Sequence, residues 1–124
     1  LKEGMSLTLE KIVSENETAA KIASGALNVF ATPILIAFME NASFELVQKE
    51  LPTGETTVGT SVNIKHLKAN LIGDKIKCVS VLEKIDGKKL EFSVKVYHGD
   101  TLVGEGTHGR FIVNEEKFLN KLKG

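Results

Sequence analysis

A carboxylate, a histidine and a hydroxyl, Glu40, His66 and Thr32, are the side chains whose types suit proton transfer. Glu40 falls in a segment that reads as helix, where its neighbours one turn away are Ile36, Ala37, Phe44 and Val47. A carboxylate among apolar groups is costly to ionise unless it is paired or hydrogen-bonded. That setting suits a general base or a nucleophile working near neutral pH. A carboxylate at a helix edge, reaching solvent or a lysine, accounts for the same position equally well. His66 ends an alternating strand on the face of Val58, Val62 and Ile64. A histidine there is either a strand-end group bonded to backbone or an acid/base partner for Glu40 across a helix–sheet interface. Thr32 reads as a helix N-cap, a complete structural role that also puts a hydroxyl and free N–H groups where an oxyanion is stabilised.

Further along, Gly104-Glu105-Gly106-Thr107-His108-Gly109-Arg110 carries glycines inside a strand pattern. Such glycines mark a bulge or the close approach of a ligand or second backbone. Arg110 shares a face with His108 by parity and carries a fixed positive charge, able to hold a carbonyl or phosphate or to face solvent. Gly59 interrupts another strand next to Thr60. No phosphate loop or dinucleotide fingerprint is present. His66, His98, His108 and Cys78 lack metal-ligand spacing, so no metal site is expected. Cys78, in the run Ile76-Lys77-Cys78-Val79-Ser80-Val81, reads as a core residue.

The elements that must position these groups follow from periodicity. Strands are expected at Ser6–Val13 and Glu17–Ala23. One long helix is expected at Pro33–Lys49, with Pro33 at its start and Pro52 and Gly54 closing it. Its first two turns are apolar almost all round, which predicts a helix wrapped by other structure. Strands follow at Thr56–His66, Asp74–Lys84, Lys89–His98 and Thr101–Val113, with tight turns at Asp86-Gly87 and Gly99-Asp100. Leu90, Phe92, Val94 and Val96 point inward by alternation. Asn114 caps a short terminal helix with Phe118, Leu119 and Leu122 on one face. The pattern predicts an α+β protein, a curved antiparallel sheet wrapped around one long central helix with a short C-terminal helix, as in the hotdog fold. An open edge strand in such a sheet commonly pairs with a second copy, so a homodimer or higher oligomer is expected.

The 124 residues are 42% hydrophobic and carry sixteen basic and sixteen acidic side chains. The apolar content excludes a disordered chain, and the charge balance argues against a nucleic-acid partner. Length predicts a single domain over residues 1–124. The longest apolar run, residues 33–39, is far short of a membrane span. One cysteine precludes an intrachain disulfide, and the N-terminal residues lack the apolar region of a secretory signal, so the expected address is cytoplasmic.

The assembled residues resemble the fluoroacetyl-CoA thioesterase-like branch of the hotdog superfamily. The resemblance rests on Val29-Phe30-Ala31-Thr32 followed by Met39-Glu40, on Gly59-Thr60 leading to His66, on Gly106-Thr107-His108-Gly109-Arg110, and on Glu116-Lys117-Phe118 in the tail. It covers nearly the whole chain. It implies hydrolysis of a small or medium acyl-CoA thioester by a catalytic set of Thr32, Glu40 and His66. It also implies substrate contacts from Gly59 and Arg110 and no cofactor, CoA being part of the substrate. The segment Ser24-Gly25-Ala26-Leu27-Asn28 is small and polar and supplies no aromatic lid, so the acyl group is left open. A non-catalytic acyl-CoA binding module and a hydratase or dehydratase on the same fold are the competing readings.

Overall fold

Alternation places Leu90, Phe92, Val94 and Val96 on one face of β4 (Lys89–His98), and all four are buried. The computed structural model, which describes residues 1–124, sets this strand at the centre of a five-stranded antiparallel sheet ordered β1-β3-β4-β5-β2. The others are β1 (Ser6–Ile12), β2 (Glu55–His66), β3 (Lys75–Asp86) and β5 (Thr101–Asn114). Two-residue turns led by Gly87 and Gly99 join β3 to β4 and β4 to β5, and both glycines have positive φ as such turns require. β1 and β2 are left as the edges.

The long helix α1 (Thr32–Gln48) lies on the inner face of the sheet. Leu35, Phe38, Met39, Ala42, Leu46 and Val47 are buried against Ile76, Cys78 and Leu82 of β3, the inward side chains of β4, and Val103. Burying each such side chain contributes about 1.5–3 kcal/mol. Ser43, in the middle of this apolar face, gives its hydroxyl proton to the Met39 carbonyl at 2.9 Å. Ser80 of β3 must then donate to the Ser43 oxygen at 2.8 Å, so neither buried hydroxyl is orphaned. Gly104 lets the helix seat closely, since a Cβ there would stand 2.9 Å from Leu35 Cδ2.

Four expectations need correction. Residues 17–23 do not form a strand. Glu15–Glu17 is a 3-10 turn, held where Ser14 N donates to Glu17 Oε1 at 2.9 Å, and only Thr18 pairs, in an isolated bridge with Phe30. Lys21 and Ile22 then fold back to donate to the Thr18 carbonyl. Thr32 is not the N-cap. Ala31 takes that place, its carbonyl accepting from Ile34 and Leu35, and Thr32 opens the helix with its hydroxyl turned elsewhere. Val58 does not share a face with Val62, because the β2–β5 register skips at Gly59/Ser61 and parity reverses there. Thr57 and Gly59 instead lie on the face of Val62, Ile64 and His66. The start of α1 is not wrapped all round, for Pro33 and Ala37 are exposed and Ile36 is half-buried.

The C-terminal helix α2 (Glu115–Leu122) begins as expected, with Asn114 Oδ1 accepting from Lys117 N at 3.0 Å. Its Phe118, Leu119 and Leu122 stay exposed. No helix is long and apolar enough to cross a membrane.

Candidate active site

Two clusters hold the residues singled out by type and spacing. In the first, the N-terminus of α1 meets the end of β2. Thr32 Oγ1 lies 2.7 Å from His66 Nδ1, while His66 Nε2 is buried without a hydrogen-bond partner. Burial lowers the His66 pKa below its ordinary value, favouring the neutral ring. A neutral imidazole with one nitrogen anchored and the other free is equipped to pass a proton.

The second cluster forms where α1 crosses the bulge in β2. A Cβ at Gly59 would stand 3.2 Å from Glu40 Oε2, 3.5 Å from Arg110 Nη1 and 3.5 Å from His108 Cε1. The carboxylate of half-buried Glu40 and the Arg110 guanidinium therefore both lie against bare backbone at Gly59. Arg110 is 8% exposed and tied within the chain. Its Nε donates to Thr57 Oγ1 at 2.7 Å and its Nη2 to the Thr57 carbonyl at 3.0 Å. Its Nη1 is 3.1 Å from His108 Nε2, and the Phe44 ring lies beneath the guanidinium with its centroid 5.7 Å from Cζ.

The structure thus joins Thr32 to His66 and gathers Glu40, Gly59 and Arg110, but it does not bring Glu40 to His66 within one chain. Geometry explains the separation. Eight residues of helix part Thr32 from Glu40 by about 12 Å, and seven residues of strand part Gly59 from His66 by roughly 23 Å. Sequence reading missed two members of the second cluster, Thr57 and His108. The signal for His108 was its shared parity with Arg110. Thr57 carried none, because the bulge moves it to the face that uninterrupted alternation denies it. No group of three or more His, Cys, Asp or Glu side chains converges as a metal site.

The architecture is that of the hotdog fold, and the chain falls among hotdog thioesterases. The sequence model of the Fluoroacetyl-CoA-specific thioesterase family matches residues 13–116, and the chain belongs to that family. It is a thioester hydrolase. The fluoroacetyl-CoA thioesterase of Streptantibioticus cattleyicolor is 30% identical over 95 residues, covering 77% of this chain and 68% of that protein. The solved fluoroacetyl-CoA thioesterase FlK is 26% identical with a TM-score of 0.93, covering 99% of this chain and 96% of that one. A mutant of FlK in complex with fluoroacetate and CoA aligns with a TM-score of 0.90, at 27% identity over 95% of this chain and 99% of that one. A thioesterase superfamily member from Thermus thermophilus is 26% identical with a TM-score of 0.90, covering 98% and 90% of the two chains.

Proposed function

We propose that this protein hydrolyses a small or medium acyl-CoA to the free acid and CoA, with Thr32, Glu40 and His66 as its catalytic set. The observation that carries this reading is the Glu40 carboxylate lying against the Gly59 backbone with the Arg110 guanidinium alongside. A thioester carbonyl brought over Gly59 meets a base and a fixed cation together, without a side chain in the way. Glu40 either takes a proton from the attacking water or attacks the carbonyl carbon itself. In the first route water adds to the carbonyl, the tetrahedral intermediate collapses, and the C–S bond breaks. The proton that Glu40 took from the water passes to neutral His66, whose Nδ1 is held by Thr32, and His66 hands it on to the departing sulfur. Arg110, tied at Thr57 and His108, acts on charge near the thioester rather than on the distant phosphates of CoA. No metal or redox cofactor is called for by this chemistry.

The same reading includes a homodimer across the β2 edge. Antiparallel pairing of β2 with a copy of itself, centred on Asn63 and counting the extra residue at the Gly59/Ser61 bulge, sets Gly59 opposite the partner subunit's His66. Glu40 of one protomer then works with the Thr32–His66 pair of the other. The uncovered surface favours this arrangement: Val62 is 41% exposed, Ala37 is exposed, and Ile36 is half-buried. A reducing, cytoplasmic setting goes with the buried free thiol of Cys78. The acyl group need not be fluoroacetyl, since Ser24–Asn28 is exposed and lacks aromatic side chains.

The test is thiol release from a panel of acyl-CoA esters by the wild type, Glu40→Gln and His66→Ala. Turnover by the wild type with large losses in both variants is expected. Equal rates for all three would remove the assigned catalytic roles. Saturable binding without turnover would make the protein a binding module, and loss of enoyl absorbance would make it a hydratase.

A further inference from the structure

We infer that His108 is a positioning residue that fixes the Arg110 guanidinium beside Glu40, and that it does so only as a neutral ring protonated on Nδ1. The inference rests on the reading of Glu40 and Arg110 as the thioester site and adds a residue to it. His108 Nδ1 lies 2.8 Å from the Ser61 carbonyl oxygen, which only accepts, so Nδ1 carries a proton. On the other side Arg110 Nη1 lies 3.1 Å from Nε2, and a guanidinium only donates, so Nε2 presents its lone pair. One tautomer of the neutral ring satisfies both contacts. The imidazolium satisfies only the first, since it sets N–H against N–H and places positive charge beside positive charge.

The surroundings make this choice consequential. His108 is 3% exposed, and its ring stacks on Phe92 of β4 at 6.1 Å between centroids. The charged groups facing it are Arg110 from its own strand and Glu40 from α1, while β2 presents Gly59 and Ser61. Burial, assisted by Arg110, lowers its pKa against the opposing pull of the Ser61 carbonyl and Glu40. Ser61 lies at the β2 bulge, so the ring links that bulge to the guanidinium. Thr57 holds Arg110 from one side and His108 from the other. Without His108 the guanidinium is held only at Nε and Nη2, and tilting of its plane about those two bonds carries Nη1 away from the place where Gly59 leaves room for substrate.

Two substitutions and one spectrum test this. His108→Phe keeps a ring against Phe92 but loses the acceptor, and kcat/KM is expected to fall about 10- to 100-fold, as misplacement of a catalytic group does. His108→Gln offers an amide oxygen to Arg110 that does not titrate, so it should retain activity within a few-fold. Its acid limb should move to lower pH, a displacement that loss of packing alone would not produce. Wild-type kcat/KM and an unchanged acid limb in both variants would overturn the inference. The imidazole nitrogen NMR signals of the wild type at pH 7 give a reading independent of turnover and of variant folding. A proton on Nδ1 and a bare Nε2 support the clamp, and a proton on Nε2 refutes it. Absence of thiol release from every ester by the wild type would instead remove the thioesterase reading, and the NMR result would still decide the clamp.

Discussion

A methyl group placed on Gly59 would stand 3.2 Å from Glu40 Oε2. That is tighter than ordinary van der Waals contact, and Arg110 and His108 crowd the same point at 3.5 Å. Helix α1 and strand β2 are therefore spaced so that the carboxylate reaches bare backbone. The φ angle of Gly59 is not in the left-handed region, so alanine fits the chain there without backbone strain. Gly59→Ala should leave the melting temperature unchanged or slightly raised, because it removes unfolded-state freedom worth about 0.4–1 kcal/mol. It should lower kcat/KM roughly tenfold or more by displacing Glu40 and closing the approach to it. Thermal unfolding and thiol release on the same preparation check the two halves together. A large fall in stability would place the effect in the fold rather than at the site.

The separation of Glu40 from His66 along α1 and β2 leads to a complementation experiment. If each site takes Glu40 from one subunit and His66 from the other, Glu40→Gln and His66→Ala homodimers are both inactive. A heterodimer of the two variants has one site with both substitutions and one with neither. Random co-assembly makes half the dimers mixed, so about a quarter of wild-type activity should return. Activity that stays at the level of the separate variants, with mixed dimers demonstrated by mass, would place the whole set within one subunit.

The parts of the molecule legible in the sequence are those where one local rule operates without interference. β4 alternates because one face meets α1 and the other does not, and Pro33 and Pro52 mark the ends of α1 because proline is tolerated in a helix's first turn and not in its interior. Residues 17–23, whose Glu, Ala and Lys give little strand preference, are turned by the Ser14–Glu17 contact and the bonds onto the Thr18 carbonyl instead of forming a strand. The faces of β2 misled because a bulge at Gly59/Ser61 reverses parity, and nothing in a two-residue period announces a skip. Glu40 was visible through its apolar helix neighbours. That Thr32 and His66 would meet each other, and not Glu40, depends on where α1 crosses the sheet, which no local pattern encodes.

Cys78 provides a check on the core. Its side chain is fully buried under α1, and burial pushes the thiol pKa up to about 12. Reaction with a thiol reagent requires the thiolate and access to it. At pH 8 the native protein should therefore react very slowly with an aromatic disulfide reagent, and one equivalent should react promptly after unfolding in guanidinium chloride. Fast titration of the native protein would mean that the α1–β3 contact opens readily.

Acid should weaken the fold before the carboxylates titrate. His66 and His108 both have pKa values lowered by burial, so each is neutral in the folded chain at a pH where the unfolded chain has begun to bind protons. Unfolding is then accompanied by proton uptake, and stability rises with pH in that window. Both contributions are complete above the unfolded histidine value of about 6.5 and are lost as pH falls through it toward the lowered folded values. Glu17, whose pKa is depressed by its bonds to Lys11 and Ser14 against opposing burial, contributes in the same direction but at lower pH, below the usual carboxylate range. The expected profile has two steps, the first beginning as pH falls below about 6.5. Chemical denaturation at a series of pH values should show the first step shrinking in His66→Gln and in His108→Gln, each removing part of it. If both variants retain the wild-type slope, the buried histidines are not its source.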